Sequence, residues 1–224
     1  MAIILCIETT TTNCSVAIGK SGLLLGLKED DSSGYSHAEK LHMFINELLG
    51  ECGLTIDQLD AIAVSKGPGS YTGLRIGVST AKGLAFSLGI PLISVSTLQT
   101  LARKVKAEKD SKIISMLDAR RMEAYTAVFN ECNEQLTSTE ATILEEESFA
   151  DIRTTKNVYC VGNAVQKFAE LLGENSEINF VETNPSAREM VSLAFAKYKI
   201  SDTEDVAYFE PYYLKDFIAT QKKS

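Results

Sequence analysis

The chain has 224 residues, 45% of them apolar and 23% charged, and its formal net charge is −8. That composition is the usual one for globular proteins, and the acidic balance excludes diffuse attraction to nucleic acid or anionic membrane. Five cysteines (Cys6, Cys14, Cys52, Cys132, Cys160), odd in number and never spaced C-x-x-C, exclude a disulfide framework and a zinc knuckle and point to a reducing compartment.

Residues 2–8 are almost continuously apolar, as in a strand buried on both faces, and they end at Glu8. No basic region precedes them, so the run reads as a strand and not a signal peptide, and the expected address is the cytoplasm. The polar turn Thr9-Thr10-Thr11-Thr12-Asn13 leads to a second strand, Cys14–Ile18. Lys20-Ser21-Gly22 then leads to a third, Leu23–Lys28, which makes an antiparallel meander. Ser36-x-x-Glu39 has the form of a capping box. Leu41, Ile45, Leu48 and Cys52 follow at helical spacing, and Met43 and Phe44 widen the apolar face beyond what a one-sided surface helix needs.

After a small-residue strand, Ala61–Ser65, comes Lys66-Gly67-Pro68-Gly69-Ser70-Tyr71-Thr72-Gly73-Leu74-Arg75, a turn that no regular element can cross. Behind it Leu74, Val78, Ala81, Ala85 and Leu88 mark a helical stripe. Gly73, Gly77, Ala81 and Ala85 form a ridge without bulky side chains, along which another backbone can approach closely. Glycines before a helix can hold an anion. Here, however, Gly73 is followed by Leu74-Arg75 where a phosphate loop needs lysine, and three residues separate Gly69 from Gly73 where a dinucleotide fingerprint has two. A plain turning and packing role therefore stands ahead of nucleotide binding. A strand over 90–95 and a helix capped by Ser96 or Thr97 and running to Val105 complete the order βββαβαβα.

The charged, aperiodic stretch 103–112 is the expected boundary between lobes 1–102 and 103–224, with the chain's end docking elsewhere. Beyond it the opening pattern returns at a shift of 110, Ile3 to Ile113 and Glu8 to Asp118: a buried strand, a terminal acid, a polar turn and a second strand, 124–129. Strands near 141–144, 158–161 and 178–182 and helices over 163–172 and 187–198 follow. The aromatic end, Glu210-Pro211-Tyr212-Tyr213-Leu214-Lys215, reads as docked on the body. Two such halves imply an α/β, duplicated ribonuclease H-like or actin-like architecture of two mixed sheets, with Glu8 and Asp118 facing a cleft from opposite sides. Paired carboxylates there could hold Mg²⁺ on a nucleotide. Each could equally cap its own turn through backbone amides, which is the preferred reading.

Ile7-Glu8-Thr9, Cys14-Ser15-Val16-Ala17, the run from Lys66 to Gly77, Leu117-Asp118-Ala119-Arg120-Arg121-x-Glu123-x-Tyr125 and Glu210-Pro211-x-Tyr213-Leu214 together resemble the bacterial TsaB family, also called YeaZ. The resemblance spans the whole chain, and the Gly-Pro-Gly-Ser-Tyr-Thr-Gly-Leu-Arg block is its most specific part. It implies a two-lobed actin-like ATPase fold without its own catalysis. The implied role is a scaffold subunit that pairs with catalytic TsaD and with the ATPase TsaE. That complex transfers threonylcarbamoyl to the adenosine beside the anticodon of tRNAs reading codons that begin with A. tRNA would be met only through the complex, and any ATP or ADP would belong to the complex with TsaD and TsaE. The family pairs through the two N-terminal helices, which here match Ser36–Gly50 and Thr72–Leu88. The expected interface is Leu41, Met43, Phe44, Ile45 and Leu48 on the first, with Tyr71, Gly73, Leu74, Arg75, Gly77, Val78 and Ala81 on the second. Glu8, Asp118 and Arg120 would line a vestigial cleft. Glu8 stands where the family commonly has aspartate, which disfavours Mg²⁺–nucleotide binding further.

Other functions have less in the sequence to carry them. Family relatives that carry chemistry hold a metal on two histidines one helical turn apart. His37 and His42 lie five residues apart, a rotation of roughly 500° that leaves the rings about 140° apart on a helix. So few histidines assemble neither a Ser-His-Asp nor a Cys-His site. An independent ATPase or small-molecule kinase would need a phosphate-gripping element, and Val161-Gly162-Asn163 is all the second half offers. The basic stretch Arg103, Lys104, Lys106, Lys109 and Lys112 is diluted by Glu108 and Asp110, so Arg120 and Arg121 are the better candidates for touching a partner or a phosphate. Exposed apolar helix faces would also suit a homodimer.

Overall fold

The structure, a computed structural model, describes residues 1–32, 37–173 and 178–215. Strands β1 (Ile3–Glu8), β2 (Cys14–Lys20) and β3 (Leu23–Asp30) form the expected meander, and β4 (Ala61–Gly67) and β5 (Leu92–Ser96) extend it in parallel, giving the order β3-β2-β1-β4-β5. The second sheet repeats that plan. Strands β6 (Lys112–Asp118), β7 (Glu123–Asn130), β8 (Glu140–Ile143), β9 (Val158–Val161) and β10 (Asn179–Val181) stand in the order β10-β9-β6-β7-β8, with the same parallel and antiparallel neighbours. The duplication read from a shift of 110 is therefore a duplication of topology: this is an α/β protein of two actin-like lobes.

The helices are α1 (His37–Glu51), α2 (Tyr71–Leu88), α3 (Thr97–Ala102), α4 (Ala150–Arg153), α5 (Val165–Leu172) and α6 (Ala187–Lys199). The capping serine expected at Ser36 lies outside the described residues. A 3-10 turn at Ile56–Gln58 and the single turn of α4 carry no apolar period and were not expected. Among the described residues no helix is long and apolar enough to cross a membrane.

Alternation along β1 sorts its side chains between two cores. Leu5 and Ile7 pack with Val16, Ile18, Ile62 and Val64 under Leu41, Ile45 and Leu48 of α1 and Val78, Ala81 and Ala85 of α2. Ala2, Ile4 and Cys6 face the other way, with Ala17, Ala63, Ile93 and Val95, and are covered by Met190, Val191 and Ala194 of α6. This second face is built from small residues because α6 lies close to it. A side chain on Gly19 would come within 2.4 Å of Val191 Cγ1.

A reciprocal exchange follows from these cores. Helix α3, which ends the first half, places Leu98, Leu101 and Ala102 on Ile113, Leu117 and Phe129 of the second sheet. Helix α6, from the second half, covers the first sheet, and the chain after it stays there through Phe209: Glu204 N donates to Leu92 O (2.8 Å) and Phe209 packs against the first core, before Lys215 pairs with Glu123 of the second lobe. A division at 102/103, as expected from composition, would thus part each sheet from one of its helices. A run of charge marks an exposed connection and says nothing of where the following helices pack.

Candidate functional site

The two acids that end the first strand of each half do not face each other across an open cleft. Glu8 is wholly buried. Its Oε1 accepts from Thr10 N (2.7 Å) and Thr10 Oγ1 (2.5 Å), and its Oε2 accepts from Ser65 Oγ. Burial raises its pKa, and the hydrogen bonds from Ser65 and Thr10 oppose the rise. Asp118 is exposed and paired with Lys167, and its Oδ1 also accepts from Arg120 N (3.0 Å). Each acid thus caps the amide two residues on, the local role preferred from sequence. The expectation that Glu8 would line a cleft is corrected, because its oxygens are spent on its own turn and on β4. Lys167 also donates to Arg121 O (2.7 Å) and Glu123 O (3.0 Å), which closes the second hairpin turn around its ammonium. Arg120 and Arg121 are exposed, both with positive φ. A carboxyl sealed among hydroxyl donors and another neutralised by lysine do not fit a Mg²⁺–nucleotide pair. Among the described residues no group of three His, Cys, Asp or Glu side chains is placed to hold a metal.

Three of the five thiols are equally withdrawn. Burial pushes Cys6 and Cys160 up to about 12 and is the main cause of the rise of Cys14 to about 11, values at which a thiolate nucleophile is scarce near neutral pH. His37 is buried with its Nε2 2.7 Å from Thr11 O, and burial lowers its pKa. His42 points outward from the same helix.

The glycine turn grips the polar turn after β1. Ser70 N donates to Thr10 O (2.7 Å), and Thr9 Oγ1 donates to Gly73 O (2.7 Å). A Cβ on Gly73 would lie 2.0 Å from Thr9 O, and one on Gly77 would lie 2.3 Å from Thr9 Oγ1. The close approach that the ridge was built for is therefore to this chain's own Thr9. That corrects the assignment of Gly73 and Gly77 to a partner interface. Leu41, Ile45, Leu48, Leu74, Val78 and Ala81 are corrected with them, because all six are buried, and all but Leu74 lie in the first core. The stripe was visible in the sequence; which surface it met was not.

Four expected interface residues remain on the outside. Met43 is exposed, Phe44 and Tyr71 are half-buried, and Arg75 is exposed on α2. The C-terminal segment builds the rest of this face. Tyr212 N donates to Lys66 O (2.7 Å), and Lys82 Nζ donates to Phe209 O (2.8 Å) and Ala207 O (3.2 Å). The Tyr71 and Tyr213 rings lie 5.2 Å apart, with the Arg75 guanidinium 5.0 Å from the Tyr71 ring centre. Between them, Arg75, Ser79 and Lys82 of α2 and Phe209, Pro211 and Tyr213 line a shallow groove. Sequence reading missed Phe86, which is 81% exposed, and Tyr208, 84% exposed. Phe86 carried a signal: it is a large apolar residue one position off the buried stripe of α2.

Comparison with known proteins places this arrangement. The family described as "TsaD: tRNA N6-adenosine threonylcarbamoyltransferase" matches residues 32–222. Across 98% of this chain and 97% of the relative, the sequence is 29% identical to the tRNA threonylcarbamoyladenosine biosynthesis protein TsaB of Escherichia coli (strain K12). It is 44% identical over 94 residues, 42% of this chain and 41% of the relative, to the protein of the same name from Bacillus subtilis (strain 168). The solved structure of YeaZ from Pseudomonas aeruginosa superposes with a TM-score of 0.81 at 27% identity, covering 96% of this chain and 100% of that one. The chain belongs to the TsaD family of tRNA N6-adenosine threonylcarbamoyltransferase proteins, among its TsaB (YeaZ) members.

Proposed function

We propose that the chain is a non-catalytic subunit in threonylcarbamoyladenosine synthesis on tRNA, pairing with a TsaD subunit and, through that pair, working with TsaE. The observation that carries the non-catalytic part is the state of Glu8. The acid best placed to serve a cleft is buried and fully engaged by Thr10 and Ser65. ATP or ADP, in this reading, belongs to the assembled complex, and tRNA is met with a partner that supplies the positive surface this acidic chain lacks. A cytoplasmic address is part of the same proposal, since the tRNA substrate would be met there.

The partner face is the outer side of α1 and α2 with the C-terminal segment against it: Met43, Phe44, Tyr71, Arg75 and Phe86, with Tyr213. Aromatic and arginine side chains of this kind anchor interfaces at modest ordering cost. The test is co-purification with the cognate TsaD, followed by threonylcarbamoyl transfer to tRNA with and without this chain. A stable complex, transfer lost on omission and no ATP turnover by the chain alone are expected. Arg75→Glu should weaken the complex by at least about tenfold while the chain stays folded. Wild-type affinity in Arg75→Glu and Phe86→Ala together would move the interface elsewhere. ATP hydrolysis by the isolated chain that vanishes in Asp118→Ala would overturn the non-catalytic reading.

A further inference from the structure

A continuous chain of side-chain amides joins the two halves beside their acid-ended hairpins. Asp118 N donates to Asn163 Oδ1 (2.8 Å), and Asn163 Nδ2 donates to Asn184 Oδ1 (3.1 Å). Asn184 Nδ2 then donates to Asp31 Oδ1 (2.7 Å) and to Thr12 Oγ1 (3.3 Å), and Thr12 Oγ1 itself donates to Asp31 Oδ1 (3.2 Å). Asp118 and Asn163 belong to the second lobe, at the ends of β6 and β9. Thr12 lies in the turn after β1, and Asp31 follows β3 in the first lobe. Asn184 sits between β10 and α6, where the chain leaves one sheet for the other. Immediately after it, Asn13 Nδ2 donates to Pro185 O (2.9 Å) and Ala187 N donates to Ser15 Oγ (3.0 Å), so the crossing backbone is held on the first-lobe side.

We propose that Asn163 and Asn184 form a clasp that fixes the angle between the lobes, a bridge supplied by the chain itself in a place where clefts of this architecture can take a ligand. A carboxamide carries an acceptor oxygen and a donor NH2 on separate atoms of one short side chain, so each asparagine can take a bond from one neighbour and hand one to the next. Both residues are half-buried, where such bonds are protected from competing water but their loss does not open a core. The consequence is one rigid body. The hairpin turn at 9–13 and the turn at 118–123 hold a constant separation with no added molecule.

The clasp is tested on the isolated chain by hydrogen exchange, so the outcome does not depend on the TsaD reading. Asn184→Ala should speed exchange of the Asp118 amide and of the 9–13 turn by about fivefold while β4 and α2 stay as protected as before. Asn184→Asp should do more, because it removes the donor and sets a carboxylate against Asp31. Asn163→Asp keeps the acceptor for Asp118 N but has no donor for Asn184 Oδ1. It should therefore release the 9–13 turn while sparing the Asp118 amide, and it does not depend on Asn184→Ala folding well. In Asn163→Ala/Asn184→Ala exchange should be no faster than in the faster single variant, because one broken link already parts the clasp. Unchanged exchange at 9–13 in Asn184→Asp and Asn163→Asp, or fully multiplicative effects in the double variant, would overturn the proposal.

Discussion

A carboxyl group with no water contact is costly unless its surroundings favour one protonation state, and around Glu8 they do. Burial lifts its pKa above the ordinary 4.5, so the folded chain holds the proton more tightly than the unfolded one. That proton-linked stability is fully present below pH 4.5 and drains away as pH rises through the raised value. Glu8→Gln, which does not titrate, should remove the loss of stability that sets in above pH 4.5, as read by thermal unfolding at a series of pH values. At neutral pH it should cost no more than about 1 kcal/mol, because its carbonyl can accept from Thr10 while its amide donates to Ser65. Glu8→Ala strands those donors in the core and should cost about 3 kcal/mol. The glycines of α2 give a sharper contrast. Gly73→Ala drives a methyl into Thr9 O and should cost about 3 kcal/mol, whereas Gly83, with nothing within 4 Å of an added Cβ, should gain about 0.5–1 kcal/mol on Gly83→Ala. Urea unfolding of the two variants separates internal packing from an empty surface.

At the level of elements, the C-terminal segment behaves as part of α2 and not as a tail. Lys82 caps two of its carbonyls and Phe209 is packed into the first core. Phe209→Ala should therefore cost about 2 kcal/mol, and trypsin should reach the segment beyond Val206 sooner. The segment was legible as something docked, since two adjacent tyrosines after a proline in a short run do not suit free solvent. Its partner was not legible, because a single strand-like pass carries no period. The strands were readable almost to the residue where both faces are buried, as in β1 and β6. The meander's third strand reaches Asp30, past the expected Lys28, because backbone pairing with β2 continues under polar side chains. The ridge of α2 announced a close approach and left open what approached. On α1, Leu41, Ile45 and Leu48 point into the first core, whereas the surplus width read from Met43 and Phe44 lies outside it, Met43 exposed and Phe44 half-buried.

For the whole molecule, the exchange of α3 and α6 makes the lobes interdependent. A fragment ending at Asp110 would keep the first sheet but leave Ile4, Cys6, Ala17, Ile93 and Val95 without the helix that covers them. Such a fragment should be unfolded or aggregated by circular dichroism and gel filtration, while mixing it with the 111–224 fragment during refolding should restore the native spectrum. The same exchange sets an order on synthesis. The last strand of the first sheet ends at Ser96, yet its covering helix ends at Lys199, 103 residues later (199 − 96). At about 5–20 residues per second, a nascent chain carries that apolar face bare for about 5–20 s after the sheet itself has emerged. Chaperone occupancy on the ribosome should therefore track the length of chain between those two points, and a slow codon placed before α6 should lower soluble yield where one placed before β5 does not.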